Sequence, residues 1–321
     1  MMKNYYLVTT EHLEEALWFR DDGDFATGMN YVAIQAALMP EVTVLVFILM
    51  SNHVHFVLHG ARAAVEAFVN NYKARYALYM RRQYGSKEFL RRNRLDVKLI
   101  SEDEDDALER AMAYVQMNCV AASICLYPGQ YSWGTGNAFF QPGWEDGRVG
   151  NKNHPACNEN HRTNGYGCNP TVSCRRLGSL SGRERIRLLH SGEALKLPEE
   201  WLLSDAGYVL PESYADVEQV EKVFRSPNRM QYFLNSSSKA RKRLEAEDER
   251  LPAFRDQVIL GAIPDLLRSL FQKSVFGALS IQEQAEALRQ IRFRFSAGVH
   301  QAARVCGISY AEAANLLDTS C

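Results

Sequence analysis

The chain predicts an α+β fold, and three observations carry that prediction. Apolar segments of strand character, "NYYLVTT", "EVTVLVFILM" followed by "HVHFVLHG", and "LDVKLI", read as four strands. Segments of period 3.6, "DFATGMNYVAIQAALM" and "ARAAVEAFVNNYKARYALYMRRQYG", fall between them and read as helices. The order is strand, helix, two strands, helix, strand. That is the order of a ferredoxin-like, RRM-like antiparallel sheet with its helices on one face and the other face open for binding. From residue 182 onward the patterning is helical, so a mainly helical C-terminal extension follows.

Each element has its own justification. "NYYLVTT" opens the fold, and the first helix follows with apolar residues at helical spacing. "EVTVLVFILM" is rich in β-branched and large apolar residues, and Ser51-Asn52 breaks it into a tight turn. In the strand after that turn, His53, His55, Val57 and His59 share one side, and Val54, Phe56 and Leu58 share the other. Two co-facial imidazoles suit a divalent metal whose remaining ligands come from elsewhere. The alternative is a pair of half-buried histidines satisfied by hydrogen bonds. The second helix ends at Gly85, and "LDVKLI" forms the next strand.

Ser101 with Glu104 makes a capping box for a further helix running through "ALERAMAYVQMNCVAASICL". The acidic "EDEDD" complements the positive end of that helix. Leu108, Met112, Val115, Cys119 and Ala122 form its buried stripe, while Tyr114 and Asn118 lie one turn apart on the border, where residues can face a cleft.

The organisation that results is a first domain over residues 1–142, a flexible linker or insertion over 143–181, and a helical domain over 182–321. The insertion is rich in Gly, Asn and Ser and contains His154, Cys157, His161, Cys168 and Cys174, at a spacing that matches no compact zinc knuckle. Near 298–318, a turn at Gly307 between two short helical runs predicts a helix-turn-helix, although its second run has no Arg or Lys, so a packed hairpin suits it equally.

At 321 residues, 46% hydrophobic and 23% charged, the composition is that of an ordinary globular protein, with no apolar run of membrane-spanning length. Seven scattered cysteines and no signal peptide point to reduced thiols and a cytoplasmic setting. The net charge of −1 conceals an asymmetry. Lys73, Arg75, Arg81, Arg82, Arg91, Arg92 and Arg94 lie in one stretch, interleaved with Tyr72, Tyr76, Tyr79 and Tyr84. Cations with rings between them suit the phosphates and bases of a single strand, and an amphipathic helix with a solvated face shows the same pattern.

Four stretches together, "WFRDDGDF", "MSNHVHFVL", "RYALYMRRQYG" and "YVQMNCVAA", resemble the HUH-type one-tyrosine transposases, in particular the REP-associated tyrosine transposase (RAYT) branch related to single-strand insertion-sequence transposases. The resemblance covers roughly residues 5–140 in the family's order, and "GQYSWGTG" looks like the segment that closes the domain. The distinctive element is His-x-His followed about sixty residues later by Tyr-x-x-x-Asn, with the basic helix between. Where family members have Met-Pro-Asn and Asn-Pro-Val with a following basic residue, this chain has Ser51, Cys119 and Ala121.

The resemblance implies that His53, His55 and Asn118 hold Mg²⁺ or Mn²⁺ and that Tyr114 is the nucleophile. It implies cleavage and rejoining of single-stranded DNA through a 5′-phosphotyrosine, on hairpin or repeat elements, by a monomer or homodimer with no membrane role. The competing expectation is a non-catalytic RRM-like module that grips single-stranded nucleic acid. A replication or conjugation nickase is a third, disfavoured by the lack of a helicase-like region or a second neighbouring tyrosine.

Overall fold

Four strands, β1 (Asn4–Thr10), β2 (Thr43–Met50), β3 (His53–Gly60) and β4 (Leu95–Leu99), pair antiparallel in the order β2-β3-β1-β4. The computed structural model describes residues 3–13, 17–85, 93–101, 104–122, 124–140, 174–238, 254–295 and 297–318. Helix α1 (Asp22–Leu38) joins β1 to β2, and α2 (Arg62–Tyr84) joins β3 to β4. Each helix therefore connects two strands that have a third between them, as the order of segments predicts. The Asp21 carboxylate caps α1 by accepting the Asp24 N–H at 2.8 Å. Gly85 ends α2 in the left-handed region at φ 61°, which a glycine enters without strain.

Alternation along β3 divides its side chains between two environments. Phe56 packs edge-on against Phe68 and Tyr72 of α2, so the side holding Val54, Phe56 and Leu58 is the helix-covered core. The opposite side carries His53, His55, Val57 and His59. It is not left open, because α3 (Ala107–Gln116) crosses it, with Tyr114 edge-on to His55. Further along, Tyr5 stacks on His59 at 4.6 Å and accepts a hydrogen bond from Gln219 of α6 (Val217–Phe224) at 2.7 Å.

Helix α3 departs from the sequence expectation at both ends. It starts at Ala107 rather than after Ser101, preceded by Asp106 at φ 59°. Glu104 binds Arg110 at 2.7 Å, and Asp106 and Glu109 hold Arg229 of α7 (Pro227–Ser236) at 2.6 and 3.1 Å. Tertiary ion pairing takes the acidic residues that local pattern assigned to capping. The helix then breaks at Met117, and α4 (Asn118–Ala121) follows. The Asn118 amide donates to the carbonyls of Tyr114 and Val115 at 2.9 and 3.1 Å, competing with the backbone for the acceptors that would continue the helix.

The free edge of β2 is covered by the stretch at Trp133–Thr135. Leu49 N–H donates to the Trp133 carbonyl at 2.8 Å, and Thr135 N–H donates to the Phe47 carbonyl at 3.0 Å. A Cβ at Gly134 would stand 2.5 Å from the Phe47 carbonyl oxygen, so only glycine permits this approach.

The core does not divide at residue 182. The stretch 174–238, with β5 (Cys174–Arg176) pairing to β6 (Leu202–Ser204) and α5 (Gly182–Leu189), packs into the same core as the sheet. A separate core is built by α8 (Asp256–Phe271), α9 (Ile281–Phe295), α10 (Val299–Cys306) and α11 (Tyr310–Asp318). Between α10 and α11 the predicted turn lies at Gly307, φ 70°, closed by Ile308 N–H to the Ala303 carbonyl and Gly307 N–H to the Arg304 carbonyl. Among the described residues no helix is long and apolar enough to cross a membrane.

Candidate active site

The turn at Ser51-Asn52 builds the first part of the site. Trp18 and Phe19 donate their N–H groups to the Ser51 carbonyl at 2.7 and 3.2 Å, so the "WFRDDGDF" stretch wraps this turn. Asn52 is bound twice to Leu13: its backbone carbonyl accepts the Leu13 N–H at 3.1 Å, and its amide donates to the Leu13 carbonyl at 2.8 Å. With the amide nitrogen so engaged, the Asn52 oxygen faces His53 Nδ1 at 2.9 Å. An oxygen there accepts, so His53 carries its proton on Nδ1 and its basic lone pair on Nε2. His55 has a comparable support, Nδ1 to Thr9 Oγ1 at 2.8 Å, from the residue opposite it in β1. Both histidines are buried, and their ring centroids are 4.7 Å apart at 89°.

A third histidine joins them that sequence reasoning did not single out. His12 follows β1, lies on His53 with centroids 3.7 Å apart and planes at 13°, and stands 6.3 Å from the His55 ring. One ligand nitrogen from each of the three falls within 4.8 Å of the other two. An all-imidazole donor set fits a divalent transition metal. The sheet order itself was the signal that could have found His12. When β1 and β3 are antiparallel neighbours, the end of β1 lies beside the start of β3, and a histidine just past Thr10 lands near His53.

The structure brings Tyr114 to the same place. Its ring is edge-on to His55 with centroids 5.8 Å apart. Burial raises the Tyr114 phenol above its ordinary 10.0, Lys98 opposes that rise and Asp96 adds to it. Both charged residues come from β4, where Asp96 stands opposite Thr9 and Lys98 opposite Leu7, and they pair with each other at 3.0 Å. Asn118 is buried, with its amide nitrogen turned to the Tyr114 and Val115 carbonyls, which directs its oxygen away from them.

The basic residues divide. Lys73 is buried and its ammonium donates to the Asn93 carbonyl, so it is not presented to a phosphate; burial also lowers its pKa from 10.5. Arg75 is engaged within the fold, donating to Ser191 at 3.2 Å and lying over the Tyr31 ring at 5.9 Å. Arg81, Arg82 and Arg94 are exposed, and Arg91 and Arg92 lie outside the described residues. Helix α2 runs back along the sheet from the Gly60 end of β3. Its 23 residues span about 34 Å. The 8 residues of β3 span about 27 Å. The helix therefore carries Arg81 and Arg82 to and past the end of the sheet where His53 lies, on the far face. Arg94 is bound twice to Glu11 beside His12: its carbonyl accepts the Glu11 N–H at 2.9 Å, and its N–H donates to the Glu11 carboxylate at 3.2 Å.

No protein-family model, curated protein or solved structure matches the chain. Of the residues considered for zinc, His154, Cys157, His161 and Cys168 lie outside the described residues, and Cys174 is half-buried in β5.

Proposed function

We propose that the chain cleaves and rejoins single-stranded DNA through a covalent bond between Tyr114 and a 5′-phosphate, as a transposase of the HUH one-tyrosine type does. The observation that carries this reading is the Tyr114 ring lying edge-on to His55, one of two neighbouring histidines on the same sheet face. Two histidines, each supported at Nδ1 by a side-chain oxygen, have the outer partners that ligating imidazoles need. A divalent ion bound at His53 and His55, with Asn118 as the further ligand the resemblance implies, would supply charge neutralisation and orientation at the scissile phosphate.

The chain's own residues then do the rest. The Tyr114 oxygen, having lost its proton, attacks the phosphorus; the bond to the 3′-oxygen breaks, and that oxygen leaves with the electron pair and takes up a proton. The phosphodiester is exchanged for a phosphotyrosine ester plus a 3′-hydroxyl, so the reverse attack by a 3′-hydroxyl rejoins a strand without ATP. Lys98, on the same face, offsets part of the penalty that burial places on the phenolate. Arg81, Arg82 and Arg94 supply exposed cations at this end of the sheet for the strand's phosphates.

The RRM-like binding alternative is weaker here. Such a module stacks bases on an open sheet face. In this chain that face is crossed by α3, and its Tyr5 is already stacked on His59 and hydrogen-bonded by Gln219. The test is nicking of a hairpin-bearing single-stranded oligonucleotide with and without EDTA, using wild type and His55→Ala. The expected result is metal-dependent nicking by wild type alone, with DNA binding retained in the variant. Undiminished nicking in excess EDTA overturns the proposal.

A further inference from the structure

We infer that His12 completes a three-imidazole metal site with His53 and His55, and that this site takes a borderline divalent ion such as Zn²⁺ or Co²⁺ in preference to Mg²⁺. The inference rests on the reading of His53 and His55 as ligands and changes both the ligand set and the metal class expected from the resemblance. Three observations carry it.

The first is proximity: one nitrogen of each ring lies within 4.8 Å of the others, from a loop, the first residue of β3 and the third. The second is that the loop bearing His12 is held on both sides. Leu13 is latched to Asn52 through the latter's backbone and amide. Glu11 is latched to the far strand: its N–H donates to the Arg94 carbonyl, its carbonyl accepts the Asn93 amide at 2.8 Å, and its carboxylate accepts the Arg94 N–H at 3.2 Å. Asn93 is in turn held by the buried Lys73 ammonium. An exposed histidine on a free loop would be no site, but this one is clamped at the residue before it and the residue after it.

The third is donor chemistry. Asn52 fixes the proton of His53 on Nδ1, and Thr9 supports Nδ1 of His55, the arrangement in which Nε2 serves as ligand. Nitrogen donors suit Zn²⁺, Co²⁺ and their neighbours, whereas Mg²⁺ prefers oxygen ligands and retains water. In the structure His12 lies flat on His53, with planes at 13°, so the two rings' in-plane lone pairs lie in nearly parallel planes and do not meet at one point. Ligation by both therefore needs His12, the exposed member, to turn.

The experiment titrates the full chain, carrying Cys157→Ser, Cys168→Ser and Cys174→Ser to remove the thiolate donors of the 154–174 stretch, with Co²⁺ followed by visible absorption. Zn²⁺ displacement and calorimetry with Zn²⁺ and Mg²⁺ run in parallel. One equivalent of Co²⁺ is expected, displaced by Zn²⁺, with no near-ultraviolet thiolate band and with far weaker Mg²⁺ binding. Loss of an outer partner of a ligand costs about 10–100-fold in affinity, so His12→Ala should weaken Zn²⁺ at least as much.

If His53→Ala loses Zn²⁺ while His12→Ala binds it like the parent, His12 is not a ligand and the two-histidine reading stands without it. Mg²⁺ bound as tightly as Zn²⁺ overturns the metal class. Binding of none of these ions overturns both readings.

Discussion

Removing the side chain of Asn52 tests the site through a residue that acts on it by way of Leu13 and His53. Asn52→Ala deletes two hydrogen bonds, to the Leu13 carbonyl at 2.8 Å and from His53 Nδ1 at 2.9 Å. Each is worth about 0.5–1.5 kcal/mol, so the fold should lose about 1–3 kcal/mol. For a body of this size, each kcal/mol lowers Tm by about 2–4 °C. The same deletion frees the His53 tautomer and one side of the His12 loop, which should weaken Zn²⁺ binding by about 10–100-fold. Thermal unfolding with a chelator present reads the first effect, and calorimetric Zn²⁺ titration reads the second. A variant that unfolds earlier yet binds Zn²⁺ like wild type would refute the link between this latch and a metal centre. A variant unchanged in both would show that the two hydrogen bonds do not contribute in solution.

Two further predictions concern charge. Arg81→Ala with Arg82→Ala should weaken single-strand binding and flatten its salt dependence by about 0.7 in log–log slope per lost phosphate contact; filter binding across a salt series checks it, and an unchanged slope would make those arginines a solvated face only. Burial raises the Asp24 carboxyl above its ordinary 3.8, against hydrogen bonds from the Arg20 N–H and the Tyr79 and Tyr84 hydroxyls. A raised acid pKa means that the folded state holds the proton more tightly than the unfolded state. Its contribution to stability is therefore greatest below 3.8 and declines as pH rises through the folded value. Urea unfolding at a series of pH values should show this decline in wild type and not in Asp24→Asn, and parallel profiles would refute it.

The parts of the fold legible from the sequence are those in which local periodicity and tertiary packing agree. Alternation along "HVHFVLHG" put His53 and His55 on one face and Phe56 on the other, and the sheet does the same. Gly85 marked a helix end that only a left-handed residue makes easily. The misreadings arise where a distant partner competes. Asp106 and Glu109 are drawn to Arg229, more than a hundred residues later in the chain, so the acidic run does not extend α3 back to Ser101. Residues 174–181 looked like loop on composition, yet Leu177 is fully buried and β5 pairs with a strand that local pattern did not mark. Lys73 read as a phosphate contact by its neighbours in sequence, but helical phase turns it inward to Asn93. His12 was missed because a lone histidine in a loop has no periodicity; only the pairing of β1 with β3 makes it adjacent to His53.

The central claim is that Tyr114 is the nucleophile, and mapping of a covalent protein–DNA adduct tests it most directly. Wild type and Tyr114→Phe would be incubated with a hairpin-bearing single strand and a divalent ion, digested, and the DNA-linked peptide identified by mass spectrometry. The phenylalanine keeps the ring against His55 and removes only the attacking oxygen, so the fold should be spared. The account predicts a 5′-linked adduct on the Tyr114 peptide in wild type and none in the variant. An adduct on any other tyrosine, or one that persists in Tyr114→Phe, would contradict it.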